Sequence, residues 1–261
     1  MDEAEINQAG TLVVINNLVA KCQRCDLYLT KTKDVPGSGN PNAKVMFIGE
    51  GPGKEEDLQG EPFVGAAGKF LNELFETIGW KRSDVYITNV VKHRPPKNRD
   101  PREEEVEACW PYLQRQIELV NPKLIVFLGR HALIRFFPAL GISKVHGQAF
   151  RKDFNCKRQV FLALYHPAAA LYNGSMRKTL ISDFGKIPKI LEKIDENGHP
   201  KPVRQAQGKL REGSTLNNSP DSSTSLSDES DTRTIGVMDG MTREAAQNDN
   251  NALPVKQEPL F

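Results

Sequence analysis

Four short apolar runs constrain this chain more than any other feature: KVMFIG (44–49), DVYITNVV (84–91), KLIVFLG (123–129) and QVFLALY (159–165). Each is rich in Val, Ile, Leu and Phe on both faces, so each needs apolar cover on both sides, as strands of a mostly parallel sheet do. Helix-like segments separate them: AAGKFLNELFETIG after the first run, REEEVEACWPYLQRQIELV after the second and RHALIRFFPAL after the third. Strand alternating with helix predicts an α/β sandwich.

A chain of 261 residues with 38% hydrophobic residues supplies a full core for one medium domain. From about Gly198 onward Ser, Asn, Asp, Thr, Gln and Gly dominate and Phe261 is the only aromatic residue. Such a composition does not bury enough apolar surface to offset its ordering entropy, so 1–197 is read as the folded domain and 198–261 as a disordered polar tail. Residues 199–261 hold seven Lys/Arg against nine Asp/Glu, leaving 28 against 24 in the part before them. That mildly basic part permits a nucleic-acid partner. No run approaches the roughly 18 apolar residues of a membrane span, and MDEAEINQAG lacks the regions of a signal peptide. The expectation is a soluble cytoplasmic protein with no membrane partner and, in the absence of any dimer motif, a monomer.

Ligands of an open parallel sheet bind outside the carboxyl ends of the strands. The residues following the runs are Gly49-Glu50-Gly51-Pro52-Gly53, then Asn89 and the loop of His93, then Gly129, then His166-Pro167. Taken singly each has a plain explanation: a tight Gly-rich turn, a turn-capping amide, an imidazole bonded to nearby backbone. GEGPG is no phosphate-binding P-loop, because the Gly-Lys-Ser/Thr ending is missing. A carboxylate, an amide and an imidazole at the same sheet edge are harder to explain separately.

GEGPGKEEDLQGEPFVGAAGKFL, VYITNVVKHRPPKNRDPREEEVEAC, LIVFLG and YHPAAALYN occur in this order between Cys22 and Leu191. Together they resemble the successive motifs of family 4 uracil-DNA glycosylases, the iron–sulfur type. The resemblance implies a three-layer α/β/α sandwich with a central four-stranded parallel sheet, and a DNA-repair hydrolase that releases uracil from DNA. An enzyme acting on a base in a duplex must first take it out of the stack. By resemblance Phe63, read as exposed in a loop between glycines, forms the stacking wall, Gly51 and Glu56 contribute to the uracil pocket, and Asn89 reads the base. A side-chain amide presents an acceptor and donors in one plane, matching the N3–H and O4 of uracil, which cytosine reverses. His166 donates to the oxyanion developing at O2. Glu50 holds the attacking water and stabilises the sugar cation, although Glu56 also matches a position the family uses for that contact.

The cysteines are Cys22, Cys25, Cys109 and Cys156. The family's cluster ligands are a CxxC pair, a Cys directly after VVK and a fourth Cys in the next helix; here His93 stands at the third position. Three readings stay open: a 4Fe-4S cluster on Cys22, Cys25, His93 and Cys109, Zn²⁺ on the same four residues, or no metal. Cys156, in the hairpin turn DFNCKRQ, is read as a spare thiol. A metal at His93 and Cys109 would staple both ends of the loop carrying Arg94, Lys97 and Arg99, a basic grip for phosphates.

The segment PAAALYNGSMRK is read as a loop with Leu171 and Tyr172 near its tip and Arg177 beyond; by resemblance it enters the duplex as the base leaves. The longer basic insertion of the family's covalently trapping relatives is missing, so turnover is expected. Gln257, Leu260 and Phe261 fit the spacing of peptides that dock on sliding clamps. The alternative to an enzyme is a DNA-binding module of the same fold that serves a polymerase or recombination complex without excising bases.

Overall fold

In the computed structural model, which describes residues 2–155 and 157–198, the four apolar runs are neighbouring strands. They are β2 (Val45–Gly49), β3 (Tyr86–Asn89), β4 (Leu124–Leu128) and β6 (Lys157–Leu164), preceded in the chain by β1 (Ser38–Gly39). The order across the sheet is β1-β3-β2-β4-β6-β5, with β5 at Ala149–Phe154. β3, β2, β4 and β6 are mutually parallel, whereas β1 and β5 add antiparallel edges. The expected four-stranded parallel sheet is therefore the centre of a six-stranded mixed one.

Successive side chains of a strand point to opposite faces, and here the two sets enter two separate cores. Met46, Ile48, Ile125, Phe127, Phe161 and Ala163 enter one. Val45, Phe47, Leu124, Val126, Leu128, Leu162 and Leu164 enter the other. The first is covered by α1 (Glu3–Gln8), α2 (Leu12–Ala20), α5 (Glu103–Val120) and α6 (Arg130–Phe136). The second lies under α4 (Ala66–Thr77), α9 (Gly174–Phe184) and α10 (Ile187–Gly198). Both faces being covered makes three layers, and it explains why the strands are apolar at consecutive positions.

The connections carry α3 (Lys54–Gln59), α7 (Ile142–Val145) and α8 (Pro167–Tyr172). The stretch read as a DNA-entering loop is thus two short helices, α8 and α9, joined at Asn173, whose Oδ1 accepts from the Ser175 amide at 3.0 Å. His166 caps α8 and Pro167 occupies its first turn, where a missing N–H costs nothing. Among the described residues no helix is long and apolar enough to cross a membrane. Cys156, nearly all of the expected polar tail and the clamp-type peptide Gln257, Leu260, Phe261 lie outside the described residues.

Candidate active site

The carboxyl ends of β2, β3 and β6 open on one cavity of about 370 Å³. Glu50, Gly51, Glu56, Phe63, Asn89 and His166 all line it, and Pro95, Asn98, Arg99 and Asp100 form its other wall. Backbone pairing continues past the strands: Val90 and Val91 donate to the Gly49 and Glu50 carbonyls at 2.9 and 3.0 Å. The GEGPG loop is thereby held beside the end of β3. Position 49 tolerates no side chain, since a Cβ there would meet Asn89 Oδ1 at 2.4 Å and the Phe63 ring at 2.6 Å.

Phe63 is only 5% exposed, so the expectation of an exposed ring is corrected. Its φ is +55°, unusual for a bulky residue, and three contacts fix that conformation. Glu56 Oε1 accepts from the Val64 and Gly65 amides at 3.0 and 2.9 Å. Arg82 donates to the Phe63 carbonyl at 3.0 Å and to the Pro62 carbonyl, with its own pKa lowered by burial. Gly68, in the first turn of α4, lies so close that a Cβ would be 1.9 Å from the Phe63 oxygen. Glu56 therefore holds the loop that carries the ring. Arg82 was not singled out from the sequence, where nothing links it to a loop some 20 residues earlier.

Asn89 is 1% exposed, and its Oδ1 is buried with no hydrogen-bond partner among the described residues. Leaving such an acceptor unmade costs about 1–3 kcal/mol, which points to a ligand group that completes it. Its backbone is anchored from beneath. Lys92 Nζ donates to the Asn89 carbonyl at 2.6 Å, to Thr88 Oγ1 at 2.8 Å and to Gln116 Oε1 at 2.7 Å. Gln116 Nε2 in turn donates to the Pro36 carbonyl at 2.7 Å. Burial pulls the Lys92 pKa down to about 7. The one sequence signal for this network is a lysine directly after the apolar pair Val90-Val91 that ends the second run.

His166 Nδ1 accepts the Ala168 amide at 3.1 Å, so in the neutral ring Nε2 carries the proton. Burial pushes its pKa down to about 4 and keeps the ring neutral. Glu50 is half-buried, and that burial, with a smaller contribution from Asp100 opposed by Arg130, raises its pKa to about 7. Around it stand groups the sequence reading overlooked: His131 Nε2 lies 3.7 Å from Glu50 Oε2 and 3.4 Å from Asp100 Oδ2.

Cys22, Cys25 and Cys109, the last on α5, lie near enough to act on one another, with Cys22 and Cys109 buried and Cys25 half-buried. Lys92 donates its backbone N–H to Cys109 Sγ at 3.4 Å. Burial raises the pKa of Cys25 and pushes that of Cys109 up to about 12, and the neighbouring cysteines add to both. Two buried thiols and one half-buried thiol gathered in one place form a donor set that suits a soft cation. The described residues whose donor atoms already lie within 4.8 Å of one another are Glu50, Asp100 and His131, not the cysteines. His93 is buried. Its Nε2 is 3.2 Å from Lys31 Nζ, and the other influences on its pKa, which burial lowers to about 4, are the Val19 carbonyl, Asp34 and Asp57.

Of the basic groups, Lys97 is exposed and Arg94 is half-buried, with Arg94 Nε bonded to Asn98 Oδ1 at 2.7 Å. Arg99 is committed to Glu105 through two bonds of 2.8 and 2.6 Å, which braces the loop against α5. Arg177 pairs with Glu73 and lies 4.4 Å over the Phe70 ring. Leu171 and Tyr172 end α8 with Tyr172 91% exposed.

The sequence profile of the "Uracil DNA glycosylase superfamily" matches residues 36–186. A type-4 uracil-DNA glycosylase of Sulfurisphaera tokodaii is 49% identical over 183 residues, 68% of this chain and 83% of that protein. One from Archaeoglobus fulgidus is 49% identical over 180 residues, covering 67% and 90%. Another, from Thermotoga maritima, is 42% identical over 184 residues, covering 69% and 94%.

Proposed function

The chain belongs to the uracil DNA glycosylase superfamily, and on that basis we propose that it hydrolyses the N-glycosidic bond of deoxyuridine in DNA, releasing uracil and leaving an abasic site. The observation that carries the reading is the buried Oδ1 of Asn89, without a hydrogen-bond partner among the described residues, in a cavity lined by Phe63 and His166.

A base swung out of the duplex loses stacking and pairing, which the pocket must replace. Phe63 offers a ring face. Asn89 Oδ1 accepts the uracil N3–H and the amide nitrogen donates to O4; cytosine presents a lone pair and an amino group there and leaves both interactions unmade. As the C1′–N1 bond breaks, the electron pair moves onto uracil and positive charge grows on the sugar. His166, neutral with its proton on Nε2, donates to O2 and stabilises the departing anion. Of the two candidate carboxylates, Glu56 is occupied by two backbone amides, whereas the carboxylate of Glu50 stands at the cavity with no backbone donor among the described residues. This division favours Glu50 as the group that orients the water and faces the sugar cation.

Cys22, Cys25 and Cys109 would hold the cluster, and His93 would complete it by turning Nε2 from Lys31, its other nitrogen already held by the Val19 carbonyl in the manner of a supported ligand. That the three cysteine sulfurs do not form a group within 4.8 Å of one another among the described residues favours a cluster over a single Zn²⁺, whose sulfur ligands lie about 2.3 Å from one ion. Such a group would act as a structural clip between α2 and α5. Lys97, Leu171 and Tyr172, with the half-buried Arg94 beside them, form the surface for the DNA backbone and the vacated stack, with Arg99 and Arg177 bracing it.

The deciding experiment offers a labelled oligonucleotide with one uracil to the purified full chain and follows alkali-labile abasic sites, with Asn89→Ala as the control. Uracil released by the wild type and retained by the variant is the expected result. Wild-type protein that binds the DNA and leaves every uracil in place overturns the enzyme reading.

A further inference from the structure

Beside the uracil cavity, on the first turn of α6, three charged groups converge on a single imidazole nitrogen. His131 Nε2 accepts from Arg130 Nε at 3.0 Å and stands 3.4 Å from Asp100 Oδ2 and 3.7 Å from Glu50 Oε2. Arg130 also reaches Asp100 at 3.2 Å through a terminal guanidinium nitrogen. Neither the resemblance nor the strand-end rule assigns anything to His131, Asp100 or Arg130.

We propose that His131 relays the proton of the attacking water away from Glu50, with Asp100 and Arg130 holding its ring in place. The proposal rests on Glu50 being the residue that orients the water. In the step, the water oxygen bonds to C1′, the C1′–N1 electron pair leaves with uracil, and one water proton passes to Glu50 Oε2 and then to His131 Nε2. Glu50 is thereby returned to the carboxylate form. His131 acts through Glu50, so it is a positioning and relay residue rather than one that touches the substrate.

The surroundings suit that task. Burial lowers the His131 pKa, Asp100 raises it and Arg130 lowers it further, so the ring is neutral and able to accept at neutral pH. Once protonated, the imidazolium has Asp100 and Glu50 beside it in place of the Arg130 donor. The side chain is 24% exposed. It also borders a second cavity of about 360 Å³ shared with Glu50, Val106, Ile134, Glu103 and Arg135. Glu103 and Arg135 are paired with each other at 2.8 Å, so the charges on that wall are balanced. The proton therefore has a route to water that avoids the base pocket. A gap of 3.7 Å is longer than a hydrogen bond, and apo sites close such gaps when substrate binds.

The test measures single-turnover excision of uracil from an oligonucleotide by the full chain, comparing His131→Ala, His131→Phe and Glu50→Gln with and without added imidazole. His131→Ala is expected to slow the rate about tenfold, less than the roughly 10²–10⁴-fold contributed by a group that takes the proton directly. Added imidazole, entering through the second cavity, restores the rate in proportion to its free-base form. His131→Phe, whose ring fills that space, shows the loss without the rescue. A wild-type rate for His131→Ala, a loss that imidazole never restores, or equal rescue of His131→Phe overturns the relay. If Glu50→Gln is slow while His131→Ala is not, only the relay fails; if Glu50→Gln keeps its rate, the reading of Glu50 fails first.

Discussion

Phe63 stacks on His166 with ring centroids 5.5 Å apart and planes inclined at 30°, so the two residues proposed as base-stacking wall and oxyanion donor support each other. Removing the ring takes away both a face for the base and a neighbour that keeps the imidazole in place. Phe63→Ala is expected to lower kcat/KM by about 1–3 kcal/mol, the usual worth of one base–aromatic contact. Fluorescence titration with a uracil oligonucleotide and single-turnover kinetics would separate the binding loss from the rate loss.

The two carboxylates on the cavity are distinguishable by substitution. Glu50→Gln keeps the shape of the site and removes the charge that faces the sugar cation, so its rate should fall about 10²–10⁴-fold. Glu56→Gln keeps one acceptor for the Val64 and Gly65 amides and should stay within about tenfold of wild type, the loss appearing in KM. A reversed ranking in single-turnover assays would exchange the two roles.

Activity should rise with pH through about 7, as Glu50 ionises, and the limb should vanish in Glu50→Gln. His166, whose pKa lies near 4, adds no limb above pH 5. Stability runs the other way. The folded-state pKa of Glu50 is raised above its unfolded value of 4.5, so its contribution is fully present below that value and is lost as pH rises through about 7. Glu50→Gln should therefore raise Tm at pH 8, by the equivalent of about 2–3 kcal/mol, and leave it unchanged at pH 4. Thermal melts at the two pH values check the sign.

Lys92 sits fully buried among Thr88 Oγ1, the Asn89 carbonyl and Gln116 Oε1. Lys92→Met fills the same space but leaves those three acceptors without their donor. The expected cost is about 3–5 kcal/mol of stability, measured by urea denaturation. Discrimination between uracil and cytosine should weaken as well, because the backbone of Asn89 loses its anchor.

On the proposed cluster, the anaerobically purified protein should show broad visible absorbance, and Cys25→Ser and Cys109→Ser should each abolish it. His93→Ala should do the same, and His93→Cys should restore it by supplying a thiolate at the same place. Absorbance and iron content unchanged in His93→Ala would remove the imidazole from the ligand set and leave the three cysteines with another partner.

What the sequence determined by itself is what local pattern controls. Runs such as VMFIG and LIVFL are apolar at consecutive positions, which demands cover on both faces and hence a layered parallel sheet. Residues at the carboxyl ends of those runs, Glu50, Asn89 and His166, meet in one cavity because parallel strands end on the same edge. The tertiary structure decided whatever depends on partners distant in the chain. β1 and β5 became edge strands by pairing with β3 and β6. Arg99 was taken up by Glu105 and Arg177 by Glu73, while Arg82 reached back to the Phe63 loop. His131 met Glu50 from a helix some 80 residues further on. A charged side chain has the same appearance in the sequence whether its partner is water, phosphate or a carboxylate, and only the packed fold chooses among them, through burial and distance.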